Sequence, residues 1–244
     1  MQLAKSKSVV PGLRFVDSID STNAELTRLH PELPDFFVLI AGEQTSGQGR
    51  AGRTWISMPG SSISVSFLLR PIRPEVSSLI TLLTAASAHQ ALKHLFPGIA
   101  FSIKWPNDIL IEQRKLAGIL AQRNEDGSVV SGIGINLFPQ PQAPETATSL
   151  SEYVNPEFDE VTAALLASMK TNWEILQSSK ASDWLLEYVR SNCSTLGSQV
   201  RAELASGESI VGVASRITAD GHLVIQGEKE HILSAADIWH LRKP

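Results

Sequence analysis

A glycine- and arginine-rich segment, 47–55, constrains the fold more than any other stretch of this sequence. It reads GQGRAGRTW, and its glycines have the GxGxxG spacing of a dinucleotide-binding turn. That turn needs a helix that opens inside the motif and an acidic residue about 20 residues further on. Residues 53–60 contain Pro59-Gly60 and show no helical periodicity, and residues 69–74 contain no acid. The sequence therefore excludes the doubly wound dinucleotide fold, and it also lacks the P-loop motif GxxxxGK[ST].

The same segment is suited to binding an anion. Glycines let a backbone approach a ligand closely, and the guanidinium groups of Arg50 and Arg53 can form paired hydrogen bonds with phosphates and carboxylates. Two further segments that could bind anions, 104–108 with Lys104 and 114–118 with Arg114 and Lys115, lie within reach in a compact fold. Taken one at a time, these features also have structural explanations. The loop could be a solvated turn, and Lys115 could be an exposed lysine at a sheet edge.

Composition narrows the class of protein. The 244 residues are 43% hydrophobic and carry a formal net charge of −4, so the chain can bury a large core. Because it lacks bulk positive charge, we expect neither DNA nor a membrane as partner. Cys193 is the single cysteine, which excludes an internal disulfide and is typical of a reducing compartment. The N-terminus lacks the apolar core of a signal peptide, so we expect a soluble, cytoplasmic protein.

Periodicity predicts an α+β body, residues 1–194, followed by a small β-rich module, residues 195–244. Residues 62–69 alternate mostly between serine and large apolar residues, which predicts a strand with one buried face. Asp220-Gly221, between two short apolar runs, is the strongest hairpin signal. Predicted strands cover 13–19, 36–42, 62–69, 100–104, 109–112, 116–122, 129–136, 199–205, 209–218, 222–226 and 231–233, and predicted helices cover 24–30, 75–95, 157–178 and 182–192.

Two small groups of residues allow both a structural and a functional interpretation. Ser21, Thr22 and Asn23 precede a predicted helix, and capping that helix would be the expected role of such residues in isolation. Gly132 and Gly134 lie in a predicted strand, where glycine often permits close packing of sheets.

Taken together, the motifs resemble those of the biotin protein ligases, and the resemblance extends from about Leu13 to the C-terminus. Five segments occur in the order expected of that family: 18–23, 47–55, 104–108, 114–120 and 132–136. The resemblance implies an enzyme that makes biotinyl-5′-AMP from biotin and ATP with Mg²⁺. The resemblance implies that such an enzyme then transfers biotin to one lysine of the biotin carboxyl carrier domain of a carboxylase. It also implies a mixed-sheet catalytic domain of the biotin/lipoate ligase type and an SH3-like β-barrel at the C-terminus.

The resemblance also implies a role for individual residues. Arg50 and Lys115 are the expected catalytic cations, Lys115 touching both the biotin carboxylate and the α-phosphate. Asp108 is the third catalytic candidate, either as a Mg²⁺ ligand or as a group that orients the acceptor lysine. The segment from Gly47 to Arg53 is expected to close as a lid that keeps water from the adenylate. The remaining assignments are Ser21, Thr22, Asn23 and Gln44 to biotin, Gly118 to the back of its slot, Gln48 and Gly49 to the lid, Trp55 to the adenine, Lys104 to phosphate, Asn107 to the Mg²⁺-bound triphosphate and Asn136 to the nucleotide.

The sequence departs from the family pattern in two places. Many relatives carry arginines where this chain has Gln48 and Ala51, so we expect the loop to retain the adenylate less tightly. Some relatives have an N-terminal helix-turn-helix domain, whereas about a dozen residues precede the first predicted strand here. Direct DNA binding is therefore not expected.

Two other functions stay open at this point. One is a lipoate or octanoate ligase or transferase of the same fold, and the other is a non-catalytic module that binds biotin or the carrier domain. The sequence also leaves open whether the chain is a monomer or a homodimer.

Overall fold

The computed structural model describes residues 2–55, 57–178, 181–204 and 206–240, whose strands form two sheets. The strands are β1 (Arg14–Val16), β2 (Phe37–Ala41), β3 (Ser62–Leu69), β4 (Phe101–Lys104), β5 (Asp108–Ile111), β6 (Arg114–Arg123), β7 (Val129–Asn136), β8 (Gln199–Glu203), β9 (Ser209–Ile217), β10 (Leu223–Gln226), β11 (Glu230–Leu233) and β12 (Asp237–His240). The first sheet has seven strands in the order β1-β2-β3-β7-β6-β5-β4. The second has five, in the order β11-β10-β9-β8-β12.

The first sheet is mixed because β1 runs parallel to β2, whereas its other neighbouring strands are antiparallel. The second sheet is antiparallel throughout. The predicted hairpin at Asp220-Gly221 joins β9 to β10, and Gly221 has a positive φ of 81°, as a tight turn requires. The α+β fold, with a mixed sheet followed by a separate β-rich part, is confirmed.

The helices are α1 (Ala4–Val9), α2 (Thr22–Leu29), α3 (Ile80–Leu95), α4 (Phe158–Gln177) and α5 (Ala181–Asn192). α3 packs against β4 to β7 on one side and against α4 and α5 on the other, so the main core lies between the sheet and these helices. The helix predicted over 75–95 begins instead as a 3₁₀ helix, Pro74–Leu79, before it continues as α3. None of the helices in the described part of the chain is long and apolar enough to cross a membrane.

The prediction that β3 has one buried face is wrong, because all eight of its residues are buried. Ile63, Val65 and Phe67 point into the main core. Ser64 and Ser66 lie on the opposite face, which α2 and the loop residues cover. Serine on a covered face indicates that hydrogen bonds, and not solvent, satisfy the hydroxyl groups there.

Two elements have no counterpart in the predictions. α1 is tied to α4 by Asp159, whose carboxylate accepts the backbone N–H groups of Lys5 (2.8 Å) and Ser6 (2.9 Å). β12 pairs with β8 in the C-terminal sheet. Both are short segments stabilised by distant partners, so neither has an apolar periodicity of its own. Ala205, the last residue of the strand predicted over 199–205, lies outside the described residues, as do 241–244 of the predicted module.

Candidate active site

A cavity of about 960 Å³ opens between the seven-stranded sheet and the C-terminal sheet. It has the size of a site for a drug-sized or larger ligand. The residues predicted individually for the catalytic and binding roles all line it: Ser21, Thr22, Asn23, Gln44, Gln48, Gly49, Arg50, Trp55, Lys104, Asn107, Asp108, Lys115, Gly118 and Asn136. Segments that are far apart in the sequence are thus brought together in one cavity.

The polar end of the cavity is formed where α2 begins. Ser21 caps α2, since its side chain accepts the N–H of Ala24 at 3.4 Å. Thr22 and Asn23 are not caps, because they lie in the first turn and are buried. The N–H of Thr22 donates to Oε1 of Gln44 at 2.8 Å, and Nδ2 of Asn23 donates to the carbonyl of Leu120 at 2.9 Å. The capping interpretation therefore holds for Ser21 alone.

Glycines on β6 and β7 make room for side chains that reach across the sheet. A Cβ atom on Gly132 would lie 2.1 Å from Oδ1 of Asn23, and one on Gly134 would lie 2.2 Å from Cε2 of Trp55. A Cβ on Gly118 would meet Lys115 at 3.0 Å and Trp55 at 3.2 Å. Gly132 and Gly134 thus accommodate side chains from α2 and the loop.

Trp55 lies in the part of the cavity that the resemblance assigned to biotin. Its ring packs over Gly134 and Gly118, and Nζ of Lys115 is 6.0 Å from the ring centroid. Its Nε1 is buried and has no hydrogen bond partner among the described residues. A buried N–H of this kind can donate to a ligand in the cavity. Contact between Trp55 and adenine stays a prediction.

Lys115 points into the cavity beside Asp108. Its Nζ lies 2.7 Å from Oδ1 of Asp108, and the two side chains are 37% and 18% exposed. The backbone of Lys115 bonds to Thr146 and Thr148, which add a further segment beside β6. The alternative of an exposed lysine at an open sheet edge is therefore wrong.

Two more cations face this pair. The half-buried Lys104 and Arg50 both have pKa values lowered by burial, an effect that the carboxylates of Asp108 and Asp237 oppose. Burial, with the charge of Lys104, also lowers the pKa of His240. The cavity therefore concentrates positive charge at one end, where an anionic ligand would be stabilised.

The loop that carries Arg50 is folded against both sheets. Its ends form a hairpin through bonds from Trp55 N–H to Gly47 O and from Gly49 N–H to Arg53 O, at 2.8 and 2.7 Å. Nη1 of Arg50 donates to Oδ1 of Asn107 at 2.9 Å, and Nη2 of Arg53 lies 2.7 Å from Oδ1 of Asp237. The loop therefore contacts both the turn between β4 and β5 and the C-terminal sheet.

Asn107 and Asn136 are held by protein groups. Nδ2 of Asn107 donates to the carbonyl of Ile119 at 3.0 Å, so this side chain ties Arg50 to β6. Nδ2 of Asn136 donates to the carbonyl of Thr148 at 3.0 Å, and its Oδ1 faces Gln140. Their predicted roles toward the triphosphate and the nucleotide stay predictions.

Some cavity residues were missed by sequence reasoning. The C-terminal sheet contributes Ala236 to His240, and the proline-rich connector contributes Gln140, Ala143 and Pro144. No local motif marks them, because they reach the cavity only through the packing of distant segments. The C-terminal sheet thus contributes to the cavity wall. The sequence alone did not decide whether this sheet has a role at the site.

Comparison with known proteins agrees with this geometry. The model of the biotin/lipoate A/B protein ligase family matches residues 15–137, and that of the biotin protein ligase C terminal domain matches 195–241. The biotin–[acetyl-CoA-carboxylase] ligase of Mycobacterium tuberculosis is 34% identical over 241 residues, covering 94% of this chain and 89% of that protein. The same ligase from Paracoccus denitrificans is 29% identical, covering 90% of this chain and 97% of that protein.

A solved structure shows the same architecture over nearly the whole chain. The biotin protein ligase of Aquifex aeolicus, in complex with biotin and ATP, superposes with a TM-score of 0.79 at 27% identity, covering 95% of this chain and 99% of that one. The predicted family and enzyme class are confirmed. This chain belongs to the biotin/lipoate A/B protein ligase family, and within it to the biotin protein ligases, which are ATP-dependent ligases.

Proposed function

We propose that this chain activates biotin with ATP, as its Mg²⁺ complex, and then transfers the biotinyl group to a lysine of a biotin carboxyl carrier domain. A single observation carries the proposal: the polar end formed by Thr22, Asn23 and Gln44 lies in one cavity with the cations Lys104 and Lys115. Biotin needs a few polar groups at its ureido ring and positive charge at its carboxylate. The cavity supplies both.

In the first step, an oxygen of the biotin carboxylate attacks the α-phosphorus of ATP. A bond from that oxygen to phosphorus forms, the bond to the β-phosphate oxygen breaks, and pyrophosphate leaves. Two anions must approach each other, so fixed cations can stabilise the charge that develops, without reorganising during the reaction. We assign this role to Lys115, oriented by Asp108 at 2.7 Å, and to Arg50, oriented by Asn107 at 2.9 Å.

In the second step, the neutral ε-amino group of the acceptor lysine attacks the acyl carbon. The amide C–N bond forms, the C–O bond of the mixed anhydride breaks, AMP leaves with that oxygen, and the nitrogen loses one proton to solvent. Positioning dominates this step because the adenylate is already activated. Asp108 lies beside the reacting end of the cavity and is the candidate for orienting the incoming lysine.

Asp108 is equally the candidate for contacting Mg²⁺. The described residues contain no group of three or more His, Cys, Asp or Glu side chains that could hold a metal. Mg²⁺ nevertheless fits, because it is commonly bound through one carboxylate together with substrate phosphates. Oδ1 of Asp108 is buried, and among the described residues it makes an ion contact with Lys115 but no hydrogen bond. A bound Mg²⁺ would neutralise triphosphate charge there.

The loop at residues 47–55 is assigned the role of a lid. Acyl-adenylates hydrolyse readily, so excluding water from the cavity protects the intermediate. Gln48 and Gly49 lie in the cavity wall near the end where Arg50 points, which supports this role.

The body, 1–194, is proposed to be the catalytic domain, and 195–244 the small SH3-like module. The separate sheet formed by β8 to β12 supports this division. A cytoplasmic location and a carboxylase carrier domain as partner are proposed on the single cysteine and on the names of the relatives.

Pyrophosphate exchange into ATP tests the proposed function. The protein is offered biotin, lipoate or octanoate separately, with Mg²⁺. Exchange with biotin alone is expected. Exchange with lipoate or octanoate instead would move the chain to the other branch of its family. Folded protein that supports no exchange with any of them would indicate a non-catalytic binder.

A further inference from the structure

A buried tryptophan lies inside the segment that carries three of the predicted site residues. Trp105 follows Lys104, the last residue of β4, and precedes the turn that leads to Asn107 and Asp108. It borders the cavity, but only 1% of its surface is exposed. Trp105 therefore offers a bound molecule almost no surface, and any effect it has on a ligand passes through its neighbours.

Both N–H groups of Trp105 donate to residues of the C-terminal module. Its backbone N–H donates to Oγ1 of Thr195 at 3.1 Å, and its indole Nε1 donates to the carbonyl of Gly221 at 2.9 Å. Thr195 is fully buried, and Gly221 lies in the turn between β9 and β10. Before Lys104, the carbonyl of Ile103 accepts a backbone N–H from residue 194 at 2.9 Å. These bonds fix the backbone on both sides of Lys104.

The other end of the same turn is held by β6. Nδ2 of Asn107 donates to the carbonyl of Ile119 at 3.0 Å, and the carbonyl of Asn107 accepts the N–H of Ile119 at 2.9 Å. The turn is thus fixed between β6 on one side and the partners of Trp105 on the other. A buried hydrogen bond that is lost on either side leaves a polar group unpaired, which costs free energy.

Lys104 depends on this backbone more than the neighbouring cations do. Nζ of Lys115 has a carboxylate oxygen at 2.7 Å, and Nη1 of Arg50 has an amide oxygen at 2.9 Å. Lys104 has no such hydrogen bond within the part of the chain that the structure describes, and burial lowers its pKa, an effect to which the charges of Lys115 and Arg53 add. The position of this ammonium group is therefore set by the backbone that carries it.

We propose that Trp105 is a positioning residue for the phosphates of ATP. Its bonds to Thr195 and Gly221 fix the backbone from which Lys104 reaches the cavity. The inference rests on the proposed function, since it takes ATP as the ligand. The polar end of the cavity, assigned to biotin, is formed at the start of α2 and shares none of these bonds, so Trp105 should affect nucleotide binding selectively.

The test compares Trp105→Phe with Trp173→Phe. Trp173, on α4, is 3% exposed, does not line the cavity and donates its Nε1 to Oδ2 of Asp35 at 3.0 Å. Each substitution removes a buried indole N–H and the same side-chain volume. Both should therefore lower the urea concentration at the midpoint of unfolding, so a loss of stability by itself does not distinguish them.

The kinetic constants of pyrophosphate exchange distinguish the two variants. In Trp105→Phe, KM for ATP should rise about 10-fold, because ATP must hold the turn in place without the lost hydrogen bond. In the same variant, KM for biotin and the Kd of biotin measured by calorimetry should change less than about twofold. Trp173→Phe should match the wild type in all three constants.

A double-mutant cycle with Lys104→Ala separates positioning from general packing. Since Trp105 acts through Lys104, adding Trp105→Phe to Lys104→Ala should change KM for ATP less than about twofold. If Trp105→Phe is not recovered folded, Thr195→Val replaces it with the same expectations, because it removes the acceptor of the backbone N–H. Its control is Thr162→Val, which removes a buried hydroxyl from α4.

Equal KM values for ATP in Trp105→Phe and Trp173→Phe would overturn the inference, as would an equal rise of both KM values in Trp105→Phe or full additivity with Lys104→Ala. Calorimetry with a non-hydrolysable ATP analogue separates this failure from that of the proposed function. Wild-type protein that binds the analogue but supports no exchange would overturn the proposed function alone, and the affinities of the two variants for the analogue would still decide the role of Trp105. Wild-type protein that binds no nucleotide would overturn both.

Discussion

The ion pair between Arg53 and Asp237 joins the loop to the C-terminal sheet. The substitution Asp237→Asn removes it by replacing the charged carboxylate with a neutral amide of nearly the same shape. Nη2 of Arg53 lies 2.7 Å from Oδ1 of Asp237, and the side chains are 58% and 34% exposed. Exposed pairs of this kind contribute about 0.2–1 kcal/mol. That range corresponds to a factor of about 1.4 to 5 in the equilibrium between a closed and an open loop. We therefore expect Asp237→Asn to release biotinyl-5′-AMP about 1.4 to 5 times faster.

The assay follows dissociation of labelled biotinyl-5′-AMP after dilution into excess unlabelled biotin and ATP. At about 0.1 M salt we expect the full difference in the rate of adenylate release between Asp237→Asn and the wild type. At about 1 M salt this difference in rate should be smaller. The reason is that the Debye length falls from about 10 Å to about 3 Å over that range. Arg53→Gln should have a similar effect, and the double variant should be no faster than the faster single variant.

Glu203→Gln is the matched control, because Glu203 pairs with Arg201 at 3.2 Å on the same sheet and is similarly exposed. It should release the adenylate at the wild-type rate. An Asp237→Asn rate equal to that of Glu203→Gln at both salt concentrations would refute the argument, as would full additivity of Asp237→Asn and Arg53→Gln.

Three further changes test the proposed chemistry and the packing. Lys115→Ala should slow pyrophosphate exchange by about 10²–10³-fold with unchanged circular dichroism, because a cation at the developing charge is lost; wild-type turnover would remove its assignment. Arg50→Gly should loosen retention of the adenylate and label added proteins indiscriminately in a streptavidin blot, whereas labelling confined to the carrier lysine at the normal rate would contradict the lid. Gly134→Ala should lower the free energy of unfolding, measured by urea denaturation, by about 1–3 kcal/mol, because its Cβ would lie 2.2 Å from Trp55. Gly98→Ala is the control, because a Cβ there would meet no described atom within 4 Å. Equal urea midpoints for the two variants would show that Trp55 moves without cost.

Local rules predicted most of the regular structure. The strand over 129–136 was predicted with the observed bounds, Val129–Asn136, because its apolar residues lie between clear turn signals. The hairpin at Asp220-Gly221 followed from turn chemistry in the same way. α1 and β12 were missed because each is short and depends on partners more than 30 residues away, Asp159 for α1 and β8 for β12.

The sequence by itself determined the chemical inventory of the site. Glycines and arginines close together in 47–55, and Lys115 in its own run, indicated anion binding before any fold was considered. Their order along the chain indicated the family. These properties are local, since they depend on residue type and spacing alone.

Only the tertiary structure decided how the inventory is arranged. It shows that Gly132 and Gly134 make room for Asn23 and Trp55, that Ser66 lies behind Thr22, and that Asp237 meets the loop 184 residues before it. Each of these contacts joins segments that no periodicity links. They exist because burying the apolar faces of the sheets brings these segments together, and because polar groups buried in that process must find hydrogen bond partners.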